Sequence, residues 1–352
     1  MTTYARVADL PLTIEDYELD ALTRQVSSGF ERVTTVIRLR GGGEEGRGED
    51  VTYEADDHHR QREVGPTLPL QGDWTFDAFS KHLGELDLFP AQAPGWPVFR
   101  NYRRWGFESA ALDLALRQAG RSLAAALERE LEPVTFVVSS RMGEPPTIGP
   151  VTRRLARYPD LRFKLDATPD WDDALIDGLV ESGAVASIDF KGAYKGTIVD
   201  AETDPDFYRR IAETFPEAWL EDPDLETEEA REALRPFNDR ITWDAPIHSI
   251  ADILAAPVLP RTVNLKPSRF GSVSALFDAY DFCAERGMGA YGGGQYELGP
   301  GRGQIQYLAA LFHPDAPNDI APSGYDSLDP EPGLPANPLD PDPEPTGFRR
   351  RP

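Results

Sequence analysis

The chain has 352 residues, a hydrophobic fraction of 40% and a net charge of −24, from 36 basic and 60 acidic residues. This length and composition fit a globular protein with one large domain and a satellite, or with two domains. Its negative surface repels phosphate backbones and anionic lipid, so we expect neither nucleic acid nor a membrane as a partner.

A single cysteine, Cys283, excludes an intrachain disulfide and a cysteine-based zinc site. No apolar run reaches the ~18 residues that a membrane helix needs, and the N-terminus lacks a signal-peptide pattern. We therefore expect a cytoplasmic protein.

The N-terminal third predicts a small mixed α and β region. Residues 1–13 form a lead-in with little pattern, and the alternating, β-branched run 33–40 predicts a strand. Residues 41–48 predict a glycine-rich turn, and residues 50–54 predict the returning strand of a hairpin. Helices are expected at 75–86 and from Glu108 to about Glu130.

The run Asp56-Asp-His-His-Arg60 has the composition of a metal cluster. Adjacent residues on an extended segment point to opposite sides, however, and no further ligand follows at a usual spacing. A mobile loop over an active site is the better prediction.

From residue 134 the pattern alternates between strand and helix. Strands are predicted at 134–139, 161–166, 185–190, 218–221, 241–244, 262–266 and 288–291. Helices are predicted at 149–158, 171–182, 205–214, 226–235, 250–255 and 272–286. Repeated βα units with short connections predict a parallel sheet, and seven or eight of them predict a closed barrel.

Three consecutive predicted strands end in a carboxylate and the next ends in a lysine. These residues are Asp189, Glu221, Asp244 and Lys266, spaced by 32, 23 and 22 residues. Each spacing fits one βα unit, and the C-terminal ends of barrel strands converge at one mouth. Three carboxylates this close require a cation, and hard oxygen ligands suit Mg²⁺.

Beyond about residue 328 the composition becomes rich in proline and acidic residues. This segment, 328–352, predicts a polyproline-like or disordered tail, with a peptide recognition role as the alternative.

These patterns together resemble the enolase superfamily, in its muconate-lactonizing and mandelate-racemase-like branch. The resemblance covers roughly residues 14–325 and includes motifs in the hairpin, the barrel-entry helix, the ligand strands and the late barrel loops. They are Gly46-Arg-Gly-Glu49, Phe107-Glu-Ser-Ala-Ala-Leu-Asp-Leu-Ala115, Glu221-Asp-Pro223, Asp244-Ala-Pro246, Gly292-Gly-Gly294 and Glu297-Leu-Gly299.

The resemblance implies an α/β protein with a modified (β/α)7β TIM-type barrel and an N-terminal α+β capping domain. The capping domain and barrel-entry helix would occupy residues 14–132, and the barrel with its metal site residues 133–327. The chain would be a homo-oligomer acting on a small carboxylate substrate.

The resemblance also implies a shared half-reaction. A divalent metal, Mg²⁺ or alternatively Mn²⁺, binds the substrate carboxylate, a base removes the α-proton, and the metal stabilises the enediolate. Asp189, Glu221 and Asp244 would be the metal ligands, and Lys266 the acid/base.

The chain departs from this branch at the end of the second barrel strand. The usual Lys-x-Lys is Lys164-Leu165-Asp166 here, so Lys164 would be a partner acid or an electrostatic stabiliser. Asp166 could instead be the first metal ligand, but that frame leaves an extra βα unit before Glu221. The histidine that the racemase branch carries on the seventh strand is also absent.

Further polar residues near the predicted mouth are weaker candidates for substrate binding. They are Asp166, Lys191, His248, Arg269 and Glu297.

The predicted function is therefore metal-dependent α-proton abstraction, as a racemase or epimerase, a cycloisomerase or a lyase. A non-catalytic barrel that serves as a binding or scaffold protein is the alternative. A metal-dependent aldolase or hydrolase would need histidine ligands, yet the barrel region contains only His248 and His313.

Overall fold

A computed structural model of the chain describes residues 1–26, 31–195 and 202–351. Within these residues, the N-terminal part contains five strands and four α-helices. They are β1 (Pro11–Ile14), β2 (Asp16–Gln25), β3 (Glu31–Gly41), β4 (Glu44–Asp50), α1 (Ala55–Val64), β5 (Gly72–Thr75), α2 (Phe76–Glu85), α3 (Phe99–Gln118) and α4 (Leu123–Leu127).

Strands β2, β3 and β4 form an antiparallel sheet whose inner face packs on α3. The glycines of the Gly-Arg-Gly motif allow this close approach. A Cβ atom at Gly46 would lie 2.2 Å from the carbonyl oxygen of Ala110, and one at Gly48 would lie 2.0 Å from that of Gly106. Any side chain at either position would force the sheet away from the helix.

The hairpin prediction needs a correction in its register. Gly42 and Gly43, both with positive φ, make the turn by themselves, so the returning strand occupies 44–50 rather than 50–54. Because a tight turn needs only two glycines, the residues predicted as turn are mostly strand. The predicted lead-in likewise contains β1, which pairs with β5.

The predicted mobile loop at Asp56–Arg60 is wrong, because these residues belong to helix α1. His58 is fully buried there. Its Nδ1 lies 2.9 Å from Thr35 Oγ1, and its Nε2 lies 2.8 Å from the carbonyl oxygen of Thr52.

The long predicted helix at 108–130 is two helices. Helix α3 begins earlier, at Phe99, and ends at Gln118. Gly120 then adopts a positive φ of 62°, which stops the helix before α4 begins at Leu123.

The second part of the chain contains seven strands and eight α-helices among the described residues. The strands are β6 (Val138–Ser140), β7 (Phe163–Asp166), β8 (Val185–Asp189), β9 (Trp219–Glu221), β10 (Ile241–Thr242), β11 (Thr262–Asn264) and β12 (Gly289–Tyr291). The helices are α5 (Gly149–Leu155), α6 (Asp173–Ser182), α7 (Pro205–Thr214), α8 (Glu228–Leu234), α9 (Ile250–Ala255), α10 (Pro267–Phe270), α11 (Val273–Glu285) and α12 (Pro300–Phe312).

The strands run parallel and close on themselves. Strands β6 to β10 are neighbours in sequence order, and β11 pairs with β12. The amide of Asn264 donates to the carbonyl of Trp243 over 3.1 Å, which joins β11 to the end of β10. Asn318 and Asp319 form parallel bridges to Phe136 and Gly293 and so provide the eighth, shortened strand. The predicted (β/α)7β barrel is confirmed.

The tail predicted as disordered packs on α3 and α4 and on the start of the barrel over residues 328–351. Leu339 exchanges two backbone hydrogen bonds with Val134, and Phe348 is fully buried. Arg349 Nε lies 2.9 Å from Asp113 Oδ2 on α3. Proline-rich composition excludes regular elements, but a few well-spaced apolar and charged residues are enough to anchor an extended chain.

None of the helices in the described ranges combines the length and the apolar character that crossing a membrane requires.

Candidate active site

The C-terminal ends of the barrel strands open into a cavity of about 730 Å³ beneath the capping domain. Six residues predicted from the sequence line it. They are Lys164, Asp166, Lys191, Asp244, Lys266 and Glu297.

Three buried carboxylates at the base of the mouth can share a cation. Asp189, Glu221 and Asp222 each place one oxygen within 4.8 Å of the others. Asp189 ends β8 and Glu221 ends β9, as predicted. The site fits a divalent metal, because hard cations such as Mg²⁺ bind carboxylate oxygens.

Asp222 was missed by the sequence reasoning, because alternation along a strand would point it away from Glu221. Its φ of 47° breaks that alternation, and one of its carboxylate oxygens lies within 4.8 Å of those of Asp189 and Glu221. The carboxylate accepts the backbone amides of Asp244 and Ala245, each over 2.8 Å. Burial, with Asp244 and Asp189 nearby, raises the pKa of Asp222 to about 6.

Asp244 lies in the same mouth but turns its oxygens toward two cations. Its Oδ2 is 2.9 Å from Lys266 Nζ, and its Oδ1 is 2.7 Å from Arg269 Nη1. Although burial opposes ionisation, Arg269 and Lys266 hold the pKa of Asp244 well below its usual range. Its predicted role as a metal ligand stays a prediction.

Lys164 projects from β7 into the acidic cluster. Its Nζ lies 3.1 Å from Asp189 Oδ2, contacts Glu221 Oε1 and is 3.7 Å from Asp319 Oδ2. Burial would lower the pKa of Lys164, but Glu221, Asp189 and Asp319 together raise it well above the ordinary value. Lys164 is therefore a fixed cation.

Lys266 follows β11 and is also buried. Burial is the main reason that the pKa of Lys266 is lowered, and the positive charges of Arg269 and Lys164 add to the effect of burial. Its partner carboxylate Asp244 opposes this change but is shared with Arg269. Lys266 can therefore lose its proton more easily than an ordinary lysine.

Lys191, Asp166 and Arg141 form a chain of charges along one wall. Lys191 Nζ is 2.5 Å from Asp189 Oδ2 and 3.3 Å from Asp166 Oδ1, and Arg141 Nε is 3.2 Å from Asp166 Oδ2. Asp166 thus pairs with the two cations at the wall and lies outside the cluster of Asp189, Glu221 and Asp222.

The remaining predicted residues differ in position. Glu297 is buried at the cavity, where its Oε1 accepts the amide of Gln295 over 2.7 Å. His248 is not among the residues that line the cavity. Its Nδ1 lies 3.1 Å from the carbonyl oxygen of Pro246, which is a local loop contact.

The end of the seventh barrel strand carries a tyrosine that the sequence reasoning passed over. The hydroxyl of Tyr291 donates to Glu221 Oε2 over 2.5 Å and accepts from Thr242 Oγ1 over 3.2 Å. It therefore holds the second oxygen of a candidate metal ligand. Its position was visible in the sequence, but its partner on β9 was not.

Comparison with known proteins places the fold in a wider group. The C-terminal domain of the family described as domain of unknown function (DUF8230) matches residues 130–327, and its N-terminal domain matches residues 5–126. A solved member of the enolase superfamily from Listeria innocua has a TM-score of 0.63 at 19% identity, covering 89% of this chain and 86% of that one. The muconate cycloisomerase of Pseudomonas fluorescens has a TM-score of 0.61 at 18% identity, covering 88% and 87%.

Two curated proteins are similar in sequence over part of the chain. An o-succinylbenzoate synthase from Geobacillus stearothermophilus is 28% identical over 236 residues, 64% of this chain and 60% of that protein. An N-succinylamino acid racemase from an Amycolatopsis species is 30% identical over 239 residues, 64% and 62%. The chain thus spans about three fifths of the length of these relatives. The predicted resemblance to the enolase superfamily is confirmed.

Proposed function

This chain belongs to the family described as domain of unknown function DUF8230, and we propose that it is a divalent-metal-dependent enzyme. It removes the proton α to the carboxylate of a small organic acid. The observation that carries the proposal is that Lys164 and Lys266 line one cavity in opposite charge environments. Lys164 also contacts the carboxylates of Asp189 and Glu221, which cluster with that of Asp222.

The charges of the mouth support this reaction. Six carboxylates meet five basic groups there: Asp166, Asp189, Glu221, Asp222, Asp244 and Asp319 against Arg141, Lys164, Lys191, Lys266 and Arg269. Their formal charges sum to −1, so a divalent metal would leave a surplus of one positive charge once Lys266 has taken up the proton. A carboxylate carries one negative charge before its α-proton leaves and two afterwards, so the surplus favours the deprotonated substrate.

The metal would be held by Asp189 and Glu221, with Asp222 or Asp244 as the third carboxylate. Mg²⁺ bound there supplies the positive charge that makes the α-proton acidic enough to remove. Tyr291 and Lys164 hold both oxygens of Glu221, which fixes the carboxylate in the orientation that faces Asp189.

Lys266 accepts the α-proton at Nζ. Because burial lowers the pKa of Lys266, its side chain reaches the neutral amine form at a moderate cost in free energy. Arg269 keeps Asp244 ionised when Lys266 is neutral. Lys164 lines the same cavity and would supply a further positive charge to the substrate carboxylate.

The product class follows from what happens after proton removal. Return of the proton would make the protein a racemase or epimerase. Ring closure would make it a cycloisomerase, and loss of a leaving group would make it a lyase. The names of the relatives, o-succinylbenzoate synthase and N-succinylamino acid racemase, support a small carboxylate as substrate. Use of Mn²⁺, a homo-oligomeric state and a cytoplasmic location stay predictions.

The first test is thermal unfolding with and without millimolar Mg²⁺. A metal at a hundred times its dissociation constant adds about 2.7 kcal/mol to the free energy of unfolding. We expect this stabilisation in the wild type and in the control Asp166→Asn, and its loss in Asp189→Asn and Glu221→Gln. A response lost in Asp166→Asn but kept in Asp189→Asn would move the metal site by one βα unit.

The second test is exchange of α-protons in D₂O, measured by NMR across a panel of small carboxylic acids. We expect Mg²⁺-dependent exchange in the wild type and a rate about 10²–10⁴-fold lower in Lys266→Met. Stabilisation by Mg²⁺ without exchange of any acid would favour the non-catalytic barrel, and absence of both would overturn the proposal.

A further inference from the structure

The loop that joins β12 to α12 forms part of the cavity rim. Gly294, Gln295, Tyr296, Glu297 and Leu298 all line the cavity. This loop belongs to the barrel, yet four of its backbone polar groups bind Arg32 and Glu49, two buried side chains of the capping domain.

Arg32, on β3, is fully buried and uses its guanidinium to bind carbonyl oxygens of both domains. Within the cap it donates to the carbonyls of Thr52 and Val51 over 2.5 and 2.6 Å. Across the interface it donates to the carbonyls of Gln295 and Tyr296 over 3.0 and 3.4 Å. Since a guanidinium is planar and rigid, these contacts fix the loop relative to the hairpin.

Glu49, on β4, binds the other end of the same loop. Its carboxylate accepts the amides of Leu298, Gly299 and Gly301 over 2.6, 3.0 and 2.9 Å. These are donors at the start of α12, where a negative charge is also favoured by the helix dipole. Arg32 therefore holds carbonyls and Glu49 holds amides, so the two contacts do not compete.

On its other side, the loop packs against Lys266, the candidate base. A Cβ atom on Gly293 would lie 2.4 Å from Lys266 Cε and 3.0 Å from the amide nitrogen of the Asn264 side chain. The glycine backbone thus forms the surface on which the end of the Lys266 side chain lies.

We infer that Arg32 and Glu49 form a latch through which the capping domain fixes the 293–301 loop and, by way of Gly293, the orientation of Lys266. Both are positioning residues, since neither lines the cavity. The consequence for catalysis rests on the proposed function of Lys266, whereas the latch itself does not.

The chain offers a matched control in Arg103. It is as buried as Arg32, and it binds the Asp50 carboxylate and the carbonyls of Leu88 and Asp57 over 2.7, 3.0 and 3.0 Å. All three partners lie in the cap. Arg32→Lys and Arg103→Lys therefore remove the same group from equally buried places, and only one of them touches the loop.

Amide hydrogen exchange read by mass spectrometry tests the latch. We expect the peptide covering 293–302 to exchange about tenfold faster in Arg32→Lys and in Glu49→Gln, and less than about twofold faster in Arg103→Lys. Equal acceleration in all three variants, or none in the first two, would overturn the latch.

The link to Lys266 is tested by α-proton exchange in D₂O at a saturating concentration of the carboxylic acid substrate. We expect a fall of about tenfold in turnover for Arg32→Lys, with Arg103→Lys within about twofold of the wild type. Gly293→Ala should lower turnover without accelerating loop exchange, because it displaces Lys266 directly. Equal turnover in Arg32→Lys and Arg103→Lys would show that the latch does not control the orientation of Lys266.

The two proposals fail separately. If the wild type shows no proton exchange with any acid, the proposed function is wrong, while the hydrogen-exchange comparison of the three variants still decides the latch.

Discussion

Two lysines from different strands point into the same mouth and meet opposite electrostatic surroundings. Both are almost completely buried. Lys164 faces three carboxylates, those of Glu221, Asp189 and Asp319, and its pKa is raised. Lys266 has Asp244, which it shares with Arg269, and its pKa is lowered.

The comparison shows that burial alone does not decide the protonation of a side chain. Burial favours the neutral form of both lysines, and the number of neighbouring carboxylates against neighbouring cations decides the outcome. His313 is the limiting case at the closing seam of the barrel. Its described partners are neutral, Asn318 and Tyr280, and burial lowers the pKa of His313 to about 4.

The largest expected effect is that of Lys266→Met on proton abstraction. Removing a general base lowers rates by about 10²–10⁴-fold, so α-proton exchange in D₂O should fall by that factor. The thermal response to Mg²⁺ should remain, because Asp189 and Glu221 are untouched. If Lys266→Met keeps most of the wild-type rate of α-proton exchange, Lys266 is not the base. The difference in pKa between the two lysines would then have no role in catalysis.

The next effect is on the free energy of unfolding, where replacing Lys164 should have the larger effect and replacing Lys266 the smaller. Removing one partner of a buried ion pair costs about 3–5 kcal/mol, because the other charge is left uncompensated. We expect this cost for Lys164→Met in metal-free protein, by urea unfolding. Lys266→Met should cost less, since Asp244 retains Arg269.

Mg²⁺ sharpens this second prediction. It should restore part of the stability lost in Lys164→Met, because it supplies positive charge to Asp189 and Glu221. Equal costs for the two variants would contradict the ranking, and no recovery with Mg²⁺ would place the metal elsewhere.

The smallest effect is a pH dependence at His313. With a folded pKa of about 4 against an ordinary 6.5, the unfolded chain binds a proton in this window that the folded chain does not. The free energy of unfolding therefore falls as pH drops from 6.5 to 4, by at most about 3 kcal/mol from this group.

The measurement compares the pH slope of wild type and His313→Gln by urea unfolding between pH 6.5 and 4. The variant should show the shallower slope, whatever its absolute stability, since other groups contribute equally to both. Identical slopes would mean that protonation of His313 does not contribute to the pH dependence of the free energy of unfolding between pH 6.5 and 4.

The sequence alone determined the barrel and most of its mouth. The strand ends at Asp189 and Glu221, and the position of Lys266 just past β11, could be located because apolar runs, turn residues and unit spacing are local properties of the chain. Parallel topology then required those ends to meet, since all barrel strands point the same way.

Tertiary structure decided which neighbours each residue meets. Asp222 joins Asp189 and Glu221 where its backbone adopts a positive φ, and Tyr291 reaches Glu221 because closure of the barrel places the end of β12 across the mouth from β9. The packing of the tail through Phe348, and the helix at Asp56–Arg60, likewise depend on surfaces supplied by distant parts of the chain. The chemistry of the two lysines follows the same rule. Their positions are written in the sequence, but their charges are set by side chains that only the folded barrel brings within reach.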